Sequence, residues 1–143
     1  MRTDIKDLKY YANEIAGMGF QMNTHAIGDS TVSVLLKEYQ KVLNDIEDPR
    51  WRIEHSQVVD LNEFELYNDK ILPSVQPTHA TSDMYWAYDR LGKRIDGAYA
   101  FKDLLSQSKR IALGTDFPVE KVNPFHTFYL SLIHISEPTR LES

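Results

Sequence analysis

The chain has 143 residues, 42% of them hydrophobic and 26% charged, and its 16 basic and 21 acidic side chains give a formal charge of −5. That balance, without a Lys/Arg cluster, excludes an electrostatic footprint for nucleic acid or an anionic membrane. The absence of cysteine excludes a disulfide framework and any Cys-based zinc or nucleophile site, and no apolar run approaches the roughly 20 residues of a membrane span.

Helical and extended patterns alternate along the chain. Between Thr3 and Ala16, Ile5, Leu8, Ala12, Ile15 and Ala16 recur at helical spacing, with Gly17 as the expected end. A short strand is expected from Phe20 to about His25. Gly28 follows, then Asp29 as the N-cap of a helix whose apolar face is Val32, Leu35, Leu36, Tyr39, Val42 and Leu43. Asp48 to Arg50 reads as a turn into a second strand, Trp51 to His55. Asp60 and Glu63 have the spacing of a capping box for a short helix through Tyr67. Ile71 to Gln76 reads as a third strand, although Pro73 is unusual at a strand centre. Ser82 to Tyr88 and Gly97 to Ser108 read as helices, Arg110 to Thr115 as a fourth strand, and Asn123 to Tyr129 as the start of another helix. Four such units in succession imply an α/β fold with a parallel sheet.

Chemistry in parallel sheets gathers in the loops that follow the strands. The four strands end at or near His25, His55, His79 and Asp116. Imidazole and carboxylate are the donors of a catalytic Zn²⁺ site that keeps one position open. Strand alternation puts Gln21, Asn23 and His25 on one face, opposite Phe20 and Met22. It puts Ala112, Gly114 and Asp116 opposite Ile111 and Leu113. On the second strand the same alternation turns Arg52 and Glu54 towards the helix layer. Taken singly, each histidine also reads as a hydrogen-bonded structural residue, and Asp116 as a loop cap before Pro118. Trp51, Tyr85 and Trp86 fit either a pocket lining or core packing. Arg90 and Arg94 read as solvated, or as partners of a carboxylate across a loop, and His126 has no assigned role.

Four local motifs add to this pattern: NTHAIGD (Asn23 to Asp29), RIEHSQ (Arg52 to Gln57), SVQPTHATSD (Ser74 to Asp83) and GTDFPV (Gly114 to Val119). In combination and order they resemble the amidohydrolase superfamily over essentially residues 5–129. More narrowly, they are similar to the branch that contains N-substituted formamide deformylase and related metal-dependent hydrolases. The resemblance implies a (β/α)8 TIM barrel with a small flanking β domain, the four units matching barrel strands five to eight. It implies metal binding by His25, His55 and Asp116, with Asp116 also accepting the proton of the attacking water. It implies substrate contacts by His79 and Asp83. The implied cofactor is a divalent metal, with Zn²⁺ the expected ion and one or two ions in the full-length enzyme. The implied reaction is hydrolysis of a non-peptide C–N bond in a small-molecule amide or N-substituted formamide.

The superfamily's H-x-H pair from strand one, and its strand-four residue, have no counterpart in these residues. The expectation is therefore a fragment of an enzyme, inactive alone, without the true N-terminus and cytoplasmic in origin. Exposed barrel edges would favour self-association; neither a nucleic-acid nor a membrane partner is expected. The alternative is a standalone α/β binding or assembly module without hydrolase activity. Finally, Leu130 to Arg140 (LSLIHISEPTR) resembles a translated sequencing adapter. On that reading residues 1–129 are the C-terminal half of the barrel, and 130–143 are a non-native, adapter-derived tail whose His134 is no ligand. A whole barrel takes roughly 250 residues.

Overall fold

A computed structural model describes residues 3–136. One parallel sheet runs in chain order through β1 (Asn23–Ala26), β2 (Trp51–His55), β3 (Ile71–Val75) and β4 (Ala112–Leu113). The helices are α1 (Ile5–Gly17), α2 (Asp29–Leu43), α3 (Pro77–Asp83), α4 (Ala87–Leu91), α5 (Phe101–Ser108) and α6 (Pro124–Ser136). Short 3-10 turns occupy Phe64–Leu66 and Gly92–Gly97. Parallel neighbours need crossover connections: α2 supplies the one from β1 to β2, a loop with the Phe64–Leu66 turn the one from β2 to β3, and α3 to α5 the one from β3 to β4. Among the described residues no helix is long and apolar enough to cross a membrane.

The expected face of α2 forms the centre of the core. Val32, Leu35, Leu36, Tyr39 and Leu43 are all buried, joined by Leu8 and Ala12 of α1. The Tyr39 and Trp51 rings meet edge to face, with centroids 4.8 Å apart. Trp51 Nε1 donates to the Phe20 carbonyl at 3.0 Å, so its one polar atom is satisfied. Trp51 is thus a core residue, whereas Tyr85 and Trp86 are exposed. Tyr39 and Thr24 share a hydroxyl–hydroxyl bond of 2.5 Å, and burial pushes the Tyr39 pKa up to about 12.

That Thr24–Tyr39 bond fixes which side of the sheet faces the helices. The register pairs His25 with Glu54, Glu54 with Ser74, and Ser74 with Ala112, so these residues share the opposite face. Arg52 and Glu54 therefore lie away from α2, not towards it as strand parity had suggested. Trp51 and Ile53 take the helix side because burying them removes far more apolar surface from water. Arg52 Nε and Glu54 Oε1 approach to 3.9 Å on their side.

Several element ends differ from expectation for local reasons. Asp4 caps α1 by accepting from the Lys6 N–H at 2.8 Å. Gly19, not Gly17, takes the left-handed conformation after it, with φ 73°. The chain is still turning there, so β1 begins only at Asn23. Gly28 is the N-cap of α2, and Asp29 is its first residue, bonded to the Ser30 N–H at 2.8 Å. An acid in the first turn is favourable against the helix dipole. No capping box forms at Asp60 and Glu63. Asp60 is engaged by Asn62, and Glu63 by Ser33 and Lys37, leaving only the 3-10 turn. Pro73 is tolerated because β4 pairs only with Ser74 and Val75. The expected helix over 82–88 does not form as one element: α3 starts earlier, at Pro77, whose fixed φ suits a first helical position, and ends at Asp83, a turn covers 84–86, and α4 begins at Ala87. α6 extends past Tyr129 into the adapter-like segment. Leu130 and Ser131 are buried, and His134 lies 5.8 Å from the Phe101 ring. The rest of that segment, 137–143, lies outside the described residues.

Candidate metal centre

β2 ends in a bend that aims a ligand. His55 has φ 73° and Ser56 φ 46°, both in the left-handed region. Alternation alone would send His55 after Trp51 and Ile53 to the helix side. The turn at its own Cα ends the strand instead. Its ring then meets His25 edge-on at 4.5 Å and stacks with His79 at 5.8 Å and 11°. Buried hydrogen bonds hold the bend. The Ser56 hydroxyl donates to the Ile53 carbonyl at 2.9 Å and accepts from the Tyr67 hydroxyl at 2.7 Å. The Ser56 N–H donates to the Ala26 carbonyl of β1 at 3.2 Å. Burial keeps the Tyr67 hydroxyl protonated far above its ordinary range, so it remains a donor.

His79 enters from the first turn of α3, its side chain 12% exposed. Asp116 enters from the loop after β4, also left-handed at φ 55°, with its side chain 36% exposed. Its carbonyl accepts from the Val119 N–H at 2.8 Å, closing a tight turn. A non-glycine residue held in this region costs about 1–3 kcal/mol, and such residues cluster at functional sites. Here two of the three donor-bearing residues carry it.

One ligand atom from each of His55, His79 and Asp116 lies within 4.8 Å of the others. The His79 Nε2 to Asp116 Oδ2 distance is 3.7 Å. Two atoms each about 2.1 Å from one ion stand at most about 4.2 Å apart, so the cluster needs only slight closure to share a cation. Four buried side-chain atoms lack a hydrogen-bond partner among the described residues, and two of them are His55 Nδ1 and His79 Nε2. An unpaired buried polar atom costs about 1–3 kcal/mol, which a bound cation would offset. Burial, reinforced by the neighbouring His25 and His79, lowers the His55 pKa; the Asp116 and Glu54 carboxylates only partly oppose this. A neutral imidazole is the form that binds metal.

The sequence-based site residues distribute unevenly. His55 and Asp116 fall in the three-donor cluster. His79, expected as a substrate contact, joins them there. His25, expected as a metal ligand, stands beside His55 on the exposed rim, outside the three-donor set. Asp83 sits one helical turn beyond His79, bonded to Tyr99 and Gln57. Neither of those partners is signalled by the sequence, since hydrogen bonds across 16 to 42 residues leave no local pattern. Arg94 does find a carboxylate, Asp29 Oδ2 at 3.3 Å.

The fold is α/β, and its His/His/Asp cluster beyond the strands could hold a metal ion. The amidohydrolase family model matches residues 1–139, and the chain belongs to that family. It is 38% identical over 114 residues to "Putative amidohydrolase YtcJ" of Bacillus subtilis (strain 168), covering 74% of this chain and 20% of that protein. It is 35% identical over 114 residues to "Protein LONG AFTER FAR-RED 3" of Arabidopsis thaliana, covering 76% of this chain and 20% of that protein. Among solved structures, it resembles uncharacterized metal-dependent hydrolases from Pyrococcus horikoshii OT3 and Pyrococcus furiosus. The first gives a TM-score of 0.80 at 27% identity, covering 98% of this chain and 28% of that one. The second gives 0.78 at 27% identity, covering 91% and 27%. The chain thus spans about one-fifth of the curated relatives it matches and about a quarter of the solved ones.

Proposed function

We propose that this chain is the C-terminal half of a (β/α)8 barrel from a metal-dependent amidohydrolase. Its four strands correspond to barrel strands five to eight. The proposed reaction is hydrolysis of a non-peptide C–N bond in a small amide or N-substituted formamide. The observation that carries this reading is the convergence of His55, His79 and Asp116 from three separate elements, with two buried ring nitrogens left unpaired. Family membership and the metal-dependent hydrolase structures support it.

Within the reading, His55, His79 and Asp116 hold a divalent cation, proposed to be Zn²⁺, and His25 completes the set from the rim once the rest of the barrel is in place. The ion, when bound, supplies acidification of water and polarisation of a carbonyl. Asp116 has the exposure to meet water, and its Oδ2 stands 3.7 Å from His79 Nε2. It accepts the water proton and returns it to the leaving nitrogen. His79 and Asp83 border the face where substrate would lie. The chain alone is proposed to be inactive, cytoplasmic in origin and prone to self-association, with neither nucleic acid nor membrane as partner. Residues 130–143 are proposed to be adapter-derived; α6 can still form there, because an apolar segment docks wherever apolar surface is open.

The test is to extend the reading frame upstream and downstream in the source DNA, express the complete protein and assay amide and formamide turnover with metal analysis. The expected result is metal-dependent turnover abolished by Asp116→Asn, with the fold retained. Unchanged turnover in that variant would overturn the role of Asp116. A frame that opens at Met1, with no upstream H-x-H, would overturn the half-barrel reading. A native sequence that continues as LSLIHISEPTR would overturn the adapter reading.

A further inference from the structure

A second polar cluster ties together the two elements that carry His55 and His79. Asp83 Oδ2 accepts from the Tyr99 hydroxyl at 2.5 Å and from Gln57 Nε2 at 3.0 Å. Gln57 Nε2 also donates to the Tyr99 hydroxyl oxygen at 2.8 Å. Gln57 stands two residues beyond His55. Asp83 stands four residues beyond His79, on the same face of α3. Tyr99 joins them from a third segment and is itself locked. Its N–H donates to the Gln57 carbonyl at 2.8 Å, its φ is 53°, and its side chain is buried.

The segment before Tyr99 is fastened just as firmly. The Val59 N–H donates to the Gly97 carbonyl at 2.9 Å, and Val58 bridges Ala98 in antiparallel fashion. A Cβ on Gly97 would lie 1.9 Å from the Val59 carbonyl oxygen, so only glycine permits this approach. By contrast α3 is seven residues long and has no side-chain cap at its start. A helix that short does not hold its own orientation. Its tie to the β2 loop is the Asp83 carboxylate.

We infer that Gln57, Tyr99 and Asp83 form a clamp that sets the spacing of the His55 and His79 rings, with Asp83 a positioning residue rather than a substrate contact. The inference rests on the metal-site reading for its purpose, but the clamp itself concerns the metal-free chain. Both bonds to Asp83 fall on one oxygen, and both donors come from the His55 side of the site. Loss of the Tyr99 hydroxyl leaves the Asp83 oxygen with Gln57 alone. α3 still packs on α6 through its buried face, but its tie to the β2 loop is weakened, and His79 shifts relative to His55. Partners that orient ligands in this way typically contribute about 10–100-fold to metal affinity.

The experiment uses the full chain with Tyr99→Phe, Asp83→Ala and Asp83→Asn. Ser108→Ala is the control, removing a buried hydroxyl on α5 that bonds only the Leu104 and Arg110 carbonyls. Three readouts are taken: His ring NMR signals without metal, Co²⁺ affinity, and the ligand-field spectrum of the Co²⁺ form. The expected result is shifted His55 and His79 signals, about tenfold weaker Co²⁺ binding and an altered spectrum in Tyr99→Phe and Asp83→Ala. Asp83→Asn, which keeps an acceptor for Tyr99, should recover part of the loss. Ser108→Ala should lower thermal stability and move none of the three. Wild-type ring signals in Tyr99→Phe and Asp83→Ala overturn the clamp, as does an equal shift in Ser108→Ala. A wild-type chain that takes up no Co²⁺ overturns the claim that these donors hold a cation without the rest of the barrel, while the ring signals still decide the clamp.

Discussion

The two sides of the sheet's donor-bearing end are built differently. Around β2, the chain is packed from both directions: Trp51 against Tyr39 beneath it, and Ser56, Tyr67 and the clamp residues around the bend. Around β4, the strand has two residues, the loop beyond exposes Phe117, Val119 and Val122, and the start of α6 exposes Phe125. His55 comes from the first region, His79 is tied to it from α3 through the Asp83 clamp, and Asp116 comes from the second. The candidate site therefore combines one imidazole held by packing, one held by a clamp, and one carboxylate held by a thin ladder and a turn. The proposed ligands that must not move are tied to the dense region. The group proposed to exchange protons with water is placed where water reaches it.

This contrast can be broken most forcefully at its dense end. Trp51→Ala should cost about 3–5 kcal/mol, read by chemical denaturation, since it opens a cavity under β2. A loss no larger than that of an exposed residue would refute the asymmetry. Next in size is Asp116→Asn in the chain as it stands. Metal affinity should fall by at least about tenfold, the scale on which even outer ligand partners act. The melting temperature should hardly change, because Asn accepts a left-handed φ as readily as Asp. A collapse of the fold would show that the β4 side is not the lightly built one.

A pH titration gives a smaller effect. The folded His55 pKa is depressed below the ordinary value of 6.5, so the unfolded chain binds the proton more readily. The stability this confers is complete above about 6.5 and declines as pH falls through the folded pKa. Denaturation midpoints measured across this range should drop on the acid side, and His55→Gln should flatten that part of the profile. The smallest effect is expected at Phe125, which is 85% exposed. Phe125→Ala should change stability by less than about 0.5 kcal/mol. If the β4 side is a contact surface between copies, the same variant should nevertheless weaken self-association in sedimentation experiments.

Sequence pattern revealed the parts whose cause is local. The apolar face of α2 and the bounds of β2 follow from side-chain periodicity. His55 and Asp116 were legible from strand ends and motifs together. Three features were not. Arg52 and Glu54 lie on the face away from α2, which alternation does not settle, because parity cannot tell which face the helices will cover until Trp51 is placed. The role of His79 stays divided: its place near a strand end groups it with the donors, the family resemblance makes it a substrate contact, and it stands on a helix turn past β3, where strand alternation no longer applies. Tyr99 and Gln57 escaped notice because their bonds to Asp83 close only in three dimensions.

The left-handed backbone at His55, Ser56 and Asp116 carries a consequence for how such a chain changes under selection. Glycine would relieve the conformational cost at all three positions, and asparagine at His55 and Ser56; either one removes the donor at His55. A search for heat-resistant variants alone should therefore drift towards those residues and lose cation uptake as it succeeds. A search that also demands uptake should leave all three unchanged and find its gains in the apolar residues around β4. The positions that resist improvement would then mark the site by themselves, without any assay of turnover.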